Sequence, residues 1–300
     1  MSFTVLGYTV YERLGTGARS TIWLVADRRT GQQFSLKRVV RRATDDDRFI
    51  SQALNDYDIS SKFDHPHLRR SLHLKRIRKL LQLRELRILM EYVDGRSLEE
   101  IGPLGTHGLL GVFMKVASGL NALHRMGYVH ADMKPNNILV GADGEVKIID
   151  FGQSCPIGHV KDRIQGTPDY IAPEQVERGI PLDQRTDVFN LGATLYWAVT
   201  GKAFPTVMPS KKCLTGIDLA GPRVAPPPPH EVNPNVPAAL SRLVMDCCRT
   251  NPKDRPKDMT EVLHRLEVTQ HILDKNDASL TGPIVRKDGG KKSKPGNSAA

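Results

Sequence analysis

The stretch Tyr128-Val129-His130-Ala131-Asp132-Met133-Lys134-Pro135-Asn136-Asn137-Ile138-Leu139-Val140 constrains this chain more than any other. An apolar pair enters it, a polar loop follows, and an apolar triplet leaves it, the pattern of a loop held between two buried strands. The loop carries a carboxylate, an ammonium and an amide, at Asp132, Lys134 and Asn137. Beyond a Gly/Asp turn, Val146-Lys147-Ile148-Ile149 is a second short apolar strand, ending in Asp150-Phe151-Gly152. Two carboxylates and an amide on neighbouring strand ends suit magnesium, which prefers hard oxygen ligands and keeps phosphates as partners.

The first forty residues add a second constraint. Residues 8–39 read as a strand meander in which Leu14-Gly15-Thr16-Gly17-Ala18-Arg19-Ser20 is a glycine-rich turn. Such a turn lets backbone N–H groups approach phosphates. Lys37 lies on an apolar strand 22 residues after the first glycine. An ammonium there requires anionic company, because burying it unpaired is costly.

Together these pieces resemble a eukaryotic-type serine/threonine protein kinase domain: H-x-D-x-K-x-x-N from His130 to Asn137, then Asp150-Phe151-Gly152, then Ala172-Pro173-Glu174. The resemblance spans roughly residues 8–268. It implies an α+β, two-lobed fold, with a small β-rich N-lobe carrying one helix (1–93) and a larger, mainly helical C-lobe (94–270). Residues 271–300 are expected to be a disordered basic tail.

The resemblance also implies roles. Asp132 and Lys134 would be catalytic, and Asn137 and Asp150 would hold two Mg²⁺. ATP would lie against Leu14, Gly15, Gly17, Ser20, Ile22, Ser35, Lys37, Glu91, Val93 and Leu139, with Met90 as gatekeeper. Two departures stand out. Ser20 occupies the family's third glycine position, and Ala131 replaces the arginine that clamps an activation-loop phosphate. Between Asp150 and Glu174 the Ser/Thr residues are Ser154 and Thr167 alone, so activity independent of loop phosphorylation is expected. The family's helix glutamate, partner of the strand lysine, falls on Asp56. Its side chain is shorter by about 1.5 Å, so contact requires the helix to move inward or a longer, water-bridged pair. A glutamate at 56 is expected to keep or raise activity.

Two other classes compete with the protein kinase. One is a pseudokinase scaffold, motivated by Ser20, Ala131 and Asp56; the other is a small-molecule phosphotransferase, which the peptide-docking Ala172-Pro173-Glu174 segment disfavours.

Elsewhere the reading is structural. A helix is expected over Asp45 to Phe63, and another over Leu109 to Met126 as core. A third helix is expected to start at Asp187, and Glu174 should pair with Arg255. The proline run Pro226 to Pro229 reads as a stiff loop spacer. The net charge of +10 is concentrated between Arg69 and Arg87, where eight Lys/Arg face one acid, Glu85. Without interleaved aromatics, that stretch argues against nucleic acid. It reads first as a solvated basic hairpin, with an acidic partner as the alternative. Cys155, Cys213, Cys247 and Cys248 lack metal-ligand spacing and read as reduced. No apolar run is long enough to span a membrane, and Met1-Ser2-Phe3-Thr4 does not resemble a secretory signal. A cytoplasmic protein is expected, with Ser/Thr-containing protein as substrate.

Overall fold

The computed structural model describes residues 4–5, 7–43, 46–207 and 226–280. Its small lobe contains β1 (Thr4–Val5), β2 (Tyr8–Thr16), β3 (Ser20–Asp27), β4 (Gln33–Val40), α1 (Asp47–Ser60), β5 (Ser71–Lys79) and β6 (Gln82–Glu91). The six strands form one sheet in the order β1-β2-β3-β4-β6-β5. Antiparallel register puts Ile22 beside Lys37, and Lys37 beside Ile88; Ser35 lies beside both Leu24 and Met90. With side chains alternating across a strand, these residues share one face. That face packs α1 through Val39, Leu86, Ile88 and Met90 against Ile50 and Ala53. Val10, Val25, Leu36 and Leu89 form a separate cluster on the other face.

Helix α1 begins two residues later than expected, because Asp46 forms the start rather than the first turn. The Asp46 carboxylate is buried, which raises its pKa. Backbone N–H groups of Arg42 and Ala43 and the Arg19 guanidinium outweigh that cost and bring it down to about 2. The helix ends at Ser60, whose hydroxyl donates to the Asp56 carbonyl and shares a 2.7 Å hydrogen bond with Ser71 at the start of β5. A serine in this packed position is thus a tether between α1 and the sheet.

The large lobe opens with β7 (Gly95–Ser97), α2 (Leu98–Ile101), α3 (Thr106–Arg125) and β8 (Tyr128–Val129). Then come β9 (Ile138–Gly141), β10 (Val146–Ile148), β11 (Cys155–Pro156), α4 (Pro173–Val176) and α5 (Gln184–Thr200). The last elements are α6 (Pro229–Val232), α7 (Ala238–Cys247) and α8 (Met259–Leu280). Ser97 and Glu100 form a capping box on α2. Leu109, Val112, Phe113, Val116, Leu120 and Leu123 of α3 are buried in the main core. Close packing of α5 on α7 requires glycine at 192: a Cβ there would lie 2.5 Å from that of Cys247.

Other boundaries also differ from the expectations, including α3, which starts at Thr106 rather than Leu109. Helix α5 starts at Gln184 rather than Asp187, since the Asp183 side chain accepts the Arg185 N–H as its cap. Helix α8 runs to Leu280, ten residues into the expected tail, with Leu266 in the main core and Leu273 packed against it. Pro229 starts α6 rather than continuing a spacer, a place where proline's missing N–H costs nothing. Residues 281–300 and Cys213 lie outside the described residues. Among the described residues, no helix is long and apolar enough to cross a membrane. Cys155, Cys247 and Cys248 are buried free thiols. Burial pushes Cys155 up to about 11 and Cys247 to about 12.

Candidate active site

The cleft between the lobes is assembled from four places in the chain. The first is the β2–β3 turn, with Leu14, Gly15, Gly17 and Ser20. The Gly17 N–H donates to the Ser20 carbonyl at 2.8 Å. A Cβ on residue 17 would come within 2.7 Å of the Ser20 hydroxyl oxygen, so the serine fills space that the glycine vacates. Under the turn is a cavity of about 120 Å³ lined by Ser20, Lys37, Phe49, Gln52, Ala53 and Asp150.

The second is the β4–α1 pair. Lys37 Nζ donates to Asp56 Oδ2 at 2.8 Å and lies 3.9 Å from Asp150 Oδ1. Burial lowers the Lys37 pKa, but the two carboxylates more than offset this and leave it raised. The short aspartate reaches because α1 sits close to the Asp150-Phe151-Gly152 turn. A Cβ on Gly152 would lie 3.2 Å from the Gln52 carbonyl. Asp56 Oδ1 accepts the Phe151 N–H at 3.2 Å, so one carboxylate holds the lysine and the turn together. The adjacent Asn55 donates its amide toward three carbonyls, Phe151 and Gly152 at 3.2 Å and Ser154 at 2.8 Å. Sequence reasoning missed Asn55; its contacts are about a hundred residues away, and no local pattern marks them.

The third is the loop between β8 and β9. Lys134 Nζ donates to Asp132 Oδ2 at 2.9 Å and to the Thr167 hydroxyl oxygen at 2.7 Å, and that hydroxyl donates to Asp132 Oδ1 at 2.8 Å. The loop is set by Asp187, which accepts the N–H groups of His130 and Ala131, each at 2.8 Å. Those bonds hold Ala131 at φ 59, a left-handed conformation unusual for a residue with a Cβ. Asn137 spends its Nδ2 on the Asp132 carbonyl at 2.8 Å, which leaves Oδ1 as a ligand atom.

Asp150 follows β10 in a left-handed conformation, φ 64, with 50% of its side-chain surface exposed. Desolvation raises its pKa, but Lys37, Lys134 and His130 outweigh that and keep its carboxyl below the usual range. An amide oxygen and an ionised carboxylate beside a paired lysine fit Mg²⁺ accompanied by nucleotide phosphates, which complete the shell.

The fourth is the β6 end. Ser35 and Met90 are buried side by side, Leu14 is exposed, and Leu139 is half-buried on β9. The Glu91 side chain turns away to Lys147 at 2.5 Å, which leaves backbone as the edge that Glu91 and Val93 can offer a ligand.

The segment after Asp150 is held by backbone pairing and by side chains that donate to carbonyls. Cys155 pairs with Val129, Gly158 N–H donates to Leu182 at 2.8 Å, and Lys161 Nζ donates to the Gln153 carbonyl at 2.9 Å. Gln175 donates to the Ala131 carbonyl at 2.8 Å. Farther on, Arg255 grips Glu174 with two bonds of 2.7 and 2.9 Å.

A family model described as protein kinase domain matches residues 8–266. The chain is 25% identical over 283 residues to a probable serine/threonine-protein kinase of Clostridium acetobutylicum, covering 91% of this chain and 41% of that protein. It is 31% identical over 264 residues to sperm motility kinase 3A of Mus musculus, covering 86% of this chain and 49% of the relative. The chain therefore spans about two fifths to half the length of these relatives. The crystal structure of the Mycobacterium tuberculosis PknI kinase domain superposes with a TM-score of 0.66 at 23% identity, covering 89% of this chain and 98% of that one. At that identity the match speaks for the fold.

Proposed function

Because this chain belongs to the protein kinase family, we propose that it transfers the γ-phosphoryl of ATP to Ser or Thr hydroxyls of proteins, without needing phosphorylation of its own activation segment. The observation that carries the reading is the grouping of Lys37, Asp56 and Asp150 within bonding range across the cleft, with the Asp132–Lys134 pair on the loop beside it. Phosphoryl transfer depends on positioning and charge neutralisation more than on covalent chemistry. Bound ATP with Mg²⁺ would supply the transferable group and the metal charge. Lys37 binds the α/β-phosphates, and Asn137 and Asp150 hold the metal. Asp132 orients the incoming hydroxyl and takes its proton, while Lys134 faces the negative charge of the transferred group. Lys134 two residues after Asp132, with Gly166-Thr167-Pro168, supports Ser/Thr over Tyr substrates.

Independence from loop phosphorylation is supported by the bonds that order the segment already. The β8–β11 pairing, the Lys161 bond and the Asn55 amide do what a phosphate–arginine clamp would do elsewhere. A cytoplasmic setting belongs to the same reading, supported by the free thiols Cys155, Cys247 and Cys248 among the described residues.

Radiolabelled ATP with Mg²⁺ and generic protein substrates tests the reading. Label should appear on Ser and Thr, Asp150→Asn should abolish transfer while the fold survives, and phosphatase treatment should leave activity intact. Nucleotide binding without transfer would favour the pseudokinase alternative, motivated by Ser20, Ala131 and Asp56.

A further inference from the structure

We infer that the β5–β6 hairpin is a docking tip for an anionic lipid surface, a property separate from phosphoryl transfer. The hairpin turn is made by two leucines, Leu80 at φ 48 and Leu81 at φ 65, between the paired residues Lys79 and Gln82. Two-residue turns with both residues at positive φ favour Asn-Gly, because a branched side chain is strained there. Here two bulky apolar side chains take the strained positions and are 90% and 93% exposed. The turn thus carries a local backbone cost and an apolar apex that folding does not use, the kind of outlier that points to function.

Behind the apex, Lys75, Arg76, Arg78, Lys79 and Arg84 are exposed and make no ion pair among the described residues. The nearby acid, Glu85, is already taken by Arg38 and Arg87. Edge strands often carry lysines to discourage pairing with other chains, and β5 is an edge. That explains cations on β5; it does not explain leucines at the turn. An apolar apex backed by long cationic side chains matches the layering of an anionic bilayer. Leucines enter the apolar boundary, and Lys and Arg extend to headgroups. An acidic protein would need a pocket for the apex, and a two-residue tip falls far short of the roughly 1,200 Å² of a stable protein interface. The tip lies at the opposite end of β6 from Glu91, so a docked surface sits away from the nucleotide edge.

The test is flotation of the full chain with phosphatidylcholine vesicles, with and without phosphatidylglycerol. The parent should float with the anionic vesicles alone and be released by salt. Replacing the apex in L80N/L81G should weaken partitioning on the order of tenfold. It should also raise Tm, since Asn-Gly suits the turn, which separates lost docking from misfolding. R78Q/K79Q/R84Q should weaken it roughly a hundredfold. The basic residues Arg286, Lys287, Lys291, Lys292 and Lys294 are common to all variants, so differences belong to the hairpin. Failure to float, equal binding to neutral vesicles, or equal binding of the parent and L80N/L81G overturns the inference. Retention on a poly-glutamate resin without flotation overturns it in favour of an acidic protein.

Discussion

At residue scale, Asp56 is where the structure most changes the outlook from sequence. A glutamate at 56 is expected from sequence to keep or raise activity. In the folded protein α1 is drawn in until Asp56 reaches both Lys37 Nζ at 2.8 Å and the Phe151 N–H at 3.2 Å. A glutamate, longer by about 1.5 Å, fits only if α1 backs away from Gly152 and loses the Asn55 bonds. Asp56→Ala should therefore lower kcat/KM for ATP by about tenfold or more, since it leaves buried Lys37 with Asp150 alone. Asp56→Glu should also lower it, by less. Steady-state kinetics on both variants decide the matter, and parent-level activity in Asp56→Ala would remove Asp56 from the site.

Helix α1 is the element whose position matters most, and three polar side chains fix it: Ser60 to Ser71, Asp56 to Lys37 and Phe151, and Asn55 to the carbonyls that follow Asp150. Burying an amide with its carbonyl partners contributes about 1 kcal/mol per bond, and leaving the partners unpaired costs more. Asn55→Ala should loosen the start of the activation segment, seen as faster amide exchange at 151–155 and a fall in kcat larger than any rise in KM. In Asn55→Ala the penalty of Asp56→Glu should shrink, because α1 is then free to retreat. Additive effects of the two substitutions would argue that the helix position is set elsewhere.

Across the whole molecule, the lobes share apolar core, with Ile59, Phe63 and Leu68 packed among large-lobe residues, and the large lobe is tied by the buried Glu174–Arg255 pair. Arg255 and Glu174 are nearly inaccessible and bonded twice, and Arg255 also donates to the Arg185, Arg249 and Thr250 carbonyls. Removing one partner of such a pair strands the other charge, at about 3–5 kcal/mol. Arg255→Ala should lower the unfolding midpoint markedly in calorimetry, and a shift within error would show that Glu174 is solvated. Much of this architecture was legible in the chain: alternation gave the meander, 3.6-residue spacing gave α3, and the residue types at 132, 134, 137 and 150 suited a phosphate and metal site. Periodicity and residue chemistry are local, so sequence carries them. Asn55 grasping carbonyls at 151–154, the left-handed backbone at Ala131 and the leucine apex of β5–β6 were not legible. Each depends on a distance between segments far apart in sequence or on a backbone angle at one residue, and packing alone sets those.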